Sequence, residues 1–136
     1  MTLTARLLIA LWLAGFAASF VMQTVFQGWF ATNSAWGVNV GWQNEIAVWN
    51  LGVIVMLVGF LRADTGREES LLLGLCVLSL CFGTNHAYAL VSSGLNVSNA
   101  MGAVFNYFGV SMCVAYRLTR TESPRCGAGL ARGRDE

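Results

Sequence analysis

Four apolar runs, most of them close to twenty residues long, limit what this chain can fold into more than any other feature of its sequence. A helix rises about 1.5 Å per residue and needs about 20 residues to cross the ~30 Å hydrocarbon core of a bilayer. The runs extend from about Leu3 to Phe30, from Asn44 to Leu61, from Leu71 to Val91 and from Ala100 to Tyr116. The first is long enough to tilt or to project beyond the bilayer, and the last is short, with a helical continuation expected in the interface. Spanning strands are disfavoured, because the runs lack period-2 alternation and are about twice as long as a barrel strand requires. The expected fold is all-α, an integral membrane four-helix bundle occupying residues 1–118.

Composition points the same way. Of the 136 residues, 56% are hydrophobic and 11% charged, where a soluble domain carries about a quarter charged residues. All eight basic residues are arginine and the formal net charge is +1. No clustered basic footprint suggests nucleic acid, and that class of partner is set aside. Fifteen glycines and a single proline favour continuous helices with close backbone contacts. The segment 119–136 mixes Gly, Pro and charge with too little apolar surface for a core, so a mobile cytoplasmic tail is expected there.

Orientation follows from the arginines. Arg6 precedes the first run, Arg62 and Arg67 lie between the second and third, and Arg117, Arg120, Arg125, Arg132 and Arg134 follow the fourth. The connections 31–43 and 92–99 contain none. Positive loops stay on the side of synthesis, so both termini are expected in the cytoplasm, with Trp29, Trp36 and Trp42 at the opposite headgroup level. A cleavable signal peptide is the alternative reading of the start, from Arg6, the run LLIALWLAGF and the small residues Ala17, Ala18 and Ser19. Against it, apolar residues continue through Phe20, Val21, Met22, Val25 and Phe26.

Depth along the helices sorts the polar residues. Counting at the helical rise, Gln23, Asn50, His86 and Asn106 each fall about 9 to 10 Å inside the outer interface, one from each run. Gln27, Glu45, Tyr88 and Tyr107 fall at or just above the same layer, whereas 53–60 and 71–80 offer only glycines, Ser79 and Cys76. An unpaired amide or imidazole in hydrocarbon costs several kcal/mol, so these groups are expected to face inward and meet each other or water. The inference is a polar pocket open to the outside, with ligand-binding candidates Gln23, Gln27, Glu45, Trp49, Asn50, Asn85, His86, Tyr88, Asn106 and Tyr107. Helical spacing restricts their convergence. Glu45 and Trp49 share a face, Asn50 is offset from Glu45 by about 140°, and His86 points about 100° away from its neighbour Asn85.

Each candidate also has a structural reading. A lone intramembrane histidine commonly bonds a neighbouring helix, with such bonds averaging ~0.6 kcal/mol, and Asn50 and Asn106 read as interhelical glue. Glu45 is placed to complement a helix N-terminus. Asn96-Val97-Ser98 matches the glycosylation triplet. Cys76 and Cys81 lack CxxC spacing, and the cysteines read as small apolar filler. One histidine and one nearby acid are too few for a closed metal site, so no metal is expected, and no nucleotide or HExxH motif points to a particular cofactor.

At WQNEIAVWNLG (42–52) and GTNHAYAL (83–90) the chain resembles small bacterial four-helix membrane proteins with a DoxX-like layout. The resemblance implies a compact bacterial inner-membrane bundle with Glu45, Asn50 and His86 as its marked positions, and implies no established reaction. The leading functional expectation is a protein that binds a small amphiphile, lipid or quinone, or that serves as an accessory subunit of a larger membrane complex. The alternative is a membrane enzyme or proton-coupled carrier in which His86 and Glu45 exchange a proton with substrate. A third expectation is architectural, with Ala10, Ala14, Ala18, Gly52 and Gly59 as smooth strips for neighbouring helices in the bundle, a homo-oligomer or a foreign subunit.

Overall fold

A computed structural model of the chain describes residues 1–63 and 67–121. The regular structure among them is helical: α1 (Leu3–Thr24), α2 (Gln27–Thr32), α3 (Val40–Ala63), α4 (Glu68–Ser93) and α5 (Val97–Thr121). The four long helices α1, α3, α4 and α5 are each long and apolar enough to cross a bilayer. The protein is a small multi-pass membrane protein, and its helices associate with lipid.

Local chemistry sets the helix ends. Thr2 caps α1 by accepting the Ala5 N–H at 3.2 Å, and Asn39 starts α3 by accepting the Trp42 N–H on its side chain at 3.1 Å. Glu68 and Glu69 occupy the first turn of α4, where negative charge complements the helix dipole. Gly94 ends α4 at a φ of 83°, a left-handed conformation that glycine adopts without a Cβ clash. Asn96 then caps α5, accepting the Asn99 N–H at 3.0 Å while donating to the Gly94 carbonyl at 3.2 Å. Its amide is thus engaged at both ends.

The first apolar run does not continue as one helix to Phe30. The Phe26 N–H reaches back to the Val21 carbonyl at 3.3 Å, the Thr24 hydroxyl caps the Phe20 carbonyl at 2.8 Å, and Phe26 leaves helical geometry at φ −106°, ψ 30°. The chain bends there without a proline. The other three helices exceed the expected spans at both ends. α5 runs through Thr121, so the first residues of the expected mobile tail 119–136 are helical, and 122–136 lie outside the described residues.

Contacts between named residues establish an antiparallel order. Ser19 meets Asn50 and Gln27 meets Asn44, which sets α1 and α2 antiparallel to α3. Thr84 meets Tyr107 and Cys113 donates to the Leu72 carbonyl at 3.4 Å, which sets α4 antiparallel to α5. α1 is the pivot: it packs on α3, α4 and α5, while α3 and α4 are not packed along one another. All four helix ends that carry arginine therefore lie together, and the connections without arginine lie at the other end.

The arginine end holds a dry core of Ala5, Leu8, Ile9, Trp12, Val53, Leu57, Leu72, Leu75, Cys113 and Tyr116. In lipid the hydrophobic effect does not drive helices together, and close packing with buried hydrogen bonds takes its place. The Trp12 indole N–H donates to Ser79 Oγ at 2.8 Å in the interior, pinning α1 to α4. The Asn50 amide donates to Ser19 Oγ at 2.8 Å, pinning α1 to α3. Glycines allow the rest: Trp12 lies 3.3 Å from where a Cβ on Gly109 would stand, and Asn106 and Tyr107 approach Gly83 equally closely. Ala10, Ala14 and Ala18 are exposed, and Gly52 and Gly59 have nothing within 4 Å of a Cβ position, so these strips face outward and not into the bundle.

Ser79→Ala leaves the Trp12 N–H buried without an acceptor. The expected effect is a loss of about 1–2 kcal/mol of stability in the native background and much less in a Trp12→Phe background. A double-mutant cycle in mixed-micelle unfolding measures the difference.

Candidate functional site

The inward stripe of each helix carries polar groups toward the arginine-free end. On α3 the buried residues are Gln43, Ala47, Asn50, Val53 and Leu57, spaced three or four apart as one helix face requires. On α4 the stripe runs Leu72, Leu75, Ser79 and Gly83, and His86 continues it seven residues beyond Ser79. On α5, Ser98, Asn99, Ala103, Cys113 and Tyr116 are buried, and on α1 the stripe ends at Gln23.

Register places these ends at one level. Trp12 faces both Ser79 of α4 and Gly109 of α5. Eleven residues further along α1, Gln23 returns to within about 20° of the same face and lies ~16 Å higher. The same rise along antiparallel α5 leads from Gly109 to Ser98, so Gln23 lies level with Ser98 and Asn99. On α3, four residues beyond the Ser19–Asn50 bond, the same level falls between Ala47 and Gln43. His86 stands about one turn below it.

This layer is buried and short of hydrogen bonds. Gln23, Gln43, Ser98 and Asn99 are 4%, 1%, 6% and 0% exposed. Gln23 Oε1, Gln43 Oε1, Ser98 Oγ, both amide atoms of Asn99 and His86 Nδ1 are buried without a hydrogen-bond partner among the described residues. The Asn99 amide approaches the imidazole without reaching good hydrogen-bond geometry. Gln43 does spend its amide N–H, which donates to the Gln27 carbonyl at 3.1 Å.

The imidazole is set by α5 and by the α2–α3 connection. The Cε1 and Nε2 edge of His86 lies directly against Gly102, where any side chain would collide with it. Trp36 covers the ring at a centroid distance of 5.0 Å and a tilt of 52°, and Trp42 braces Trp36 edge-on at 5.5 Å. The connection is tied down by the Ser98 N–H donating to the Asn33 carbonyl at 3.0 Å. Trp36, braced by Trp42, therefore covers the imidazole in addition to any interfacial role.

The expected site residues separate into three groups. Gln23 belongs to the buried layer, and His86, half-buried, stands about one turn below it. Asn50 and Asn106 lie inside but are partnered, Asn50 by Ser19 and Asn106 by the Gly102 carbonyl of its own helix at 2.8 Å. Glu45, Trp49, Asn85, Tyr88 and Tyr107 are exposed, and Gln27 is half-buried and donates to Asn44 Oδ1 at 3.1 Å. Glu45 and Trp49 line a groove beside α3, so they do not share the surroundings of His86. The ten expected residues do not all share one place: the offset of Glu45 from Asn50, about 140°, turns it out once Asn50 turns in.

Gln43, Ser98 and Asn99 are absent from the expected set. Gln43 and Asn99 each stand seven residues, two helical turns, before an asparagine that was in it, Asn50 and Asn106. Stepping by seven from those positions finds them. Among the described residues no three metal-ligating side chains come together.

No family model matches the chain, and neither a curated protein nor a solved structure shows a significant match to it.

Gly102→Val forces a side chain into the imidazole and is expected to destabilise the bundle by about 1–3 kcal/mol through overpacking. Gly52→Val meets open space and is expected to stay within about 0.5 kcal/mol of the parent. Thermal unfolding of both variants in the same detergent gives the comparison.

Proposed function

We propose that this multi-pass membrane protein is a binding protein whose arginine-free end holds the uncharged polar head of a small amphiphile, a lipid or quinone among them. The observation that carries the reading is the layer of Gln23, Gln43, Ser98 and Asn99, buried on three helices with unpartnered atoms and adjoined by His86 on a fourth. Burying a polar group without a partner costs about 1–3 kcal/mol, so a layer of them is retained against stability. A ligand that supplies the missing donors and acceptors offsets that cost. The groups are carboxamides, a hydroxyl and one imidazole, a set that suits hydroxyl and carbonyl functions better than ions.

In this reading residues 1–118 form the membrane domain. The arginine end faces the cytoplasm with both termini, by the positive-inside rule, and the polar layer faces outward across a bacterial inner membrane. The DoxX-like resemblance contributes the four-helix layout and no reaction. A proton-exchanging enzyme or carrier would bring His86 and Glu45 to one substrate. Here His86 turns toward Gly102 and Trp36 while Glu45 lines the groove beside α3, which favours binding over that chemistry. Service as an accessory subunit is compatible with the same layer, and a stoichiometric partner retained in mild detergent would favour it.

Asn99→Leu tests the layer with little change in shape. The expected result is unchanged stability, or a gain of about 1–2 kcal/mol from removing an unpartnered amide, together with loss of the saturable thermal stabilisation that a monoacylglycerol confers on the parent. A comparable loss of stability with monoacylglycerol binding intact would assign Asn99 to the fold alone.

A further inference from the structure

Glu45 belongs to a different place from the buried layer. Because α3 and α4 are not packed along one another, a groove of about 880 Å³ opens beside α3, walled by Val48, Trp49, Gly52 and Met56 with Leu78 of α4, and Glu45 stands at its arginine-free end. Gly52 keeps the floor open, with nothing within 4 Å of a Cβ position. From Glu45 to Met56 the groove follows eleven residues, or ~16 Å, close to the ~15 Å depth of one leaflet. Its length is that of a single acyl chain's layer.

Its head end is chosen by charge. Among the described residues Glu45 is the one acidic residue at the arginine-free end, since Glu68 and Glu69 occupy the first turn of α4 at the other. The arginines of the described residues belong to the opposite end, so among the described residues no cation opposes this carboxylate. Trp49 lies one turn along the same face and is 57% exposed. A carboxylate and an indole face on one stripe recognise an ammonium group by charge-assisted hydrogen bonding and cation–π attraction.

We infer that the groove binds an ammonium-headed lipid of the leaflet at the arginine-free end, its amine at Glu45 and Trp49 and one chain laid over Gly52 toward Met56. The site is separate from the buried layer, and Asn99→Leu is expected to leave it intact, so the two readings fail independently.

The full-length protein, reconstituted in nanodiscs of equal phosphatidylethanolamine and phosphatidylglycerol and released into native mass spectrometry, reports which lipid is retained. The expected result is about tenfold enrichment of phosphatidylethanolamine, equivalent to about 1.4 kcal/mol. Glu45→Gln is expected to abolish the preference while lipid is still retained, and Gly52→Leu to remove retained lipid of either head group. Equal retention by the parent, or a preference unchanged in Glu45→Gln, overturns the inference. Displacement of the lipid by micromolar dodecylammonium would assign the groove to a soluble amine, and a protein helix recovered in place of lipid would assign it to a partner; either result overturns the lipid assignment.

Discussion

Lipid removes the force that assembles most proteins. An apolar side chain gains little by leaving acyl chains for another helix, so a bundle in a bilayer depends on close backbone approach and on polar groups that hydrocarbon cannot satisfy. In this chain α1 carries both devices. Trp12 uses its ring against Gly109 and its N–H on Ser79, joining three helices at one point, and Ser19 receives Asn50 from a fourth. With α1 as pivot, α3 has no need of α4, and the gap between them follows from that economy of contact. α1 is also the helix that a signal-peptide reading would remove.

The same constraint divides the molecule along its length. The arginine end is closed largely by aliphatic and aromatic side chains with a few inward hydrogen bonds. Toward the other end the inward stripes turn from Val53 and Leu57 to Asn50 and Gln43 on α3, and from Leu72 and Leu75 to Ser79 and His86 on α4. A stripe can change character in this way only where neighbours or an outside molecule complete the hydrogen bonds. Gly102 is the position at which the two requirements meet: α5 comes close enough for packing because the residue has no side chain, and the space so gained is filled by the imidazole of His86.

Much of this was legible in the sequence, because length and hydropathy act on whole helices. The four spans and the segregation of arginine could be read from residue order alone, and depth singles out Gln23 and His86. Depth fixes one coordinate of a helical residue, and azimuth needs a reference face. Glu45 and Asn50 both lie in the arginine-free half of α3, yet five residues of helix separate them by about 140° in azimuth. Once Asn50 is known to reach Ser19, Gln43 must point inward and Glu45 outward, and no further information is required. The break after Thr24 was not legible, since no proline or glycine marks it and it arises from a slipped hydrogen bond at Phe26.

Separating Glu45 from His86 changes the kind of chemistry the chain supports. An acid and an imidazole facing one cavity would make a proton-transfer pair. Placed apart, they address two different environments. The imidazole sits under Trp36 and beside the Asn99 amide, while Glu45 stands at the end of an apolar groove. The imidazole and the carboxylate both lie toward the arginine-free end, and their azimuth separates them.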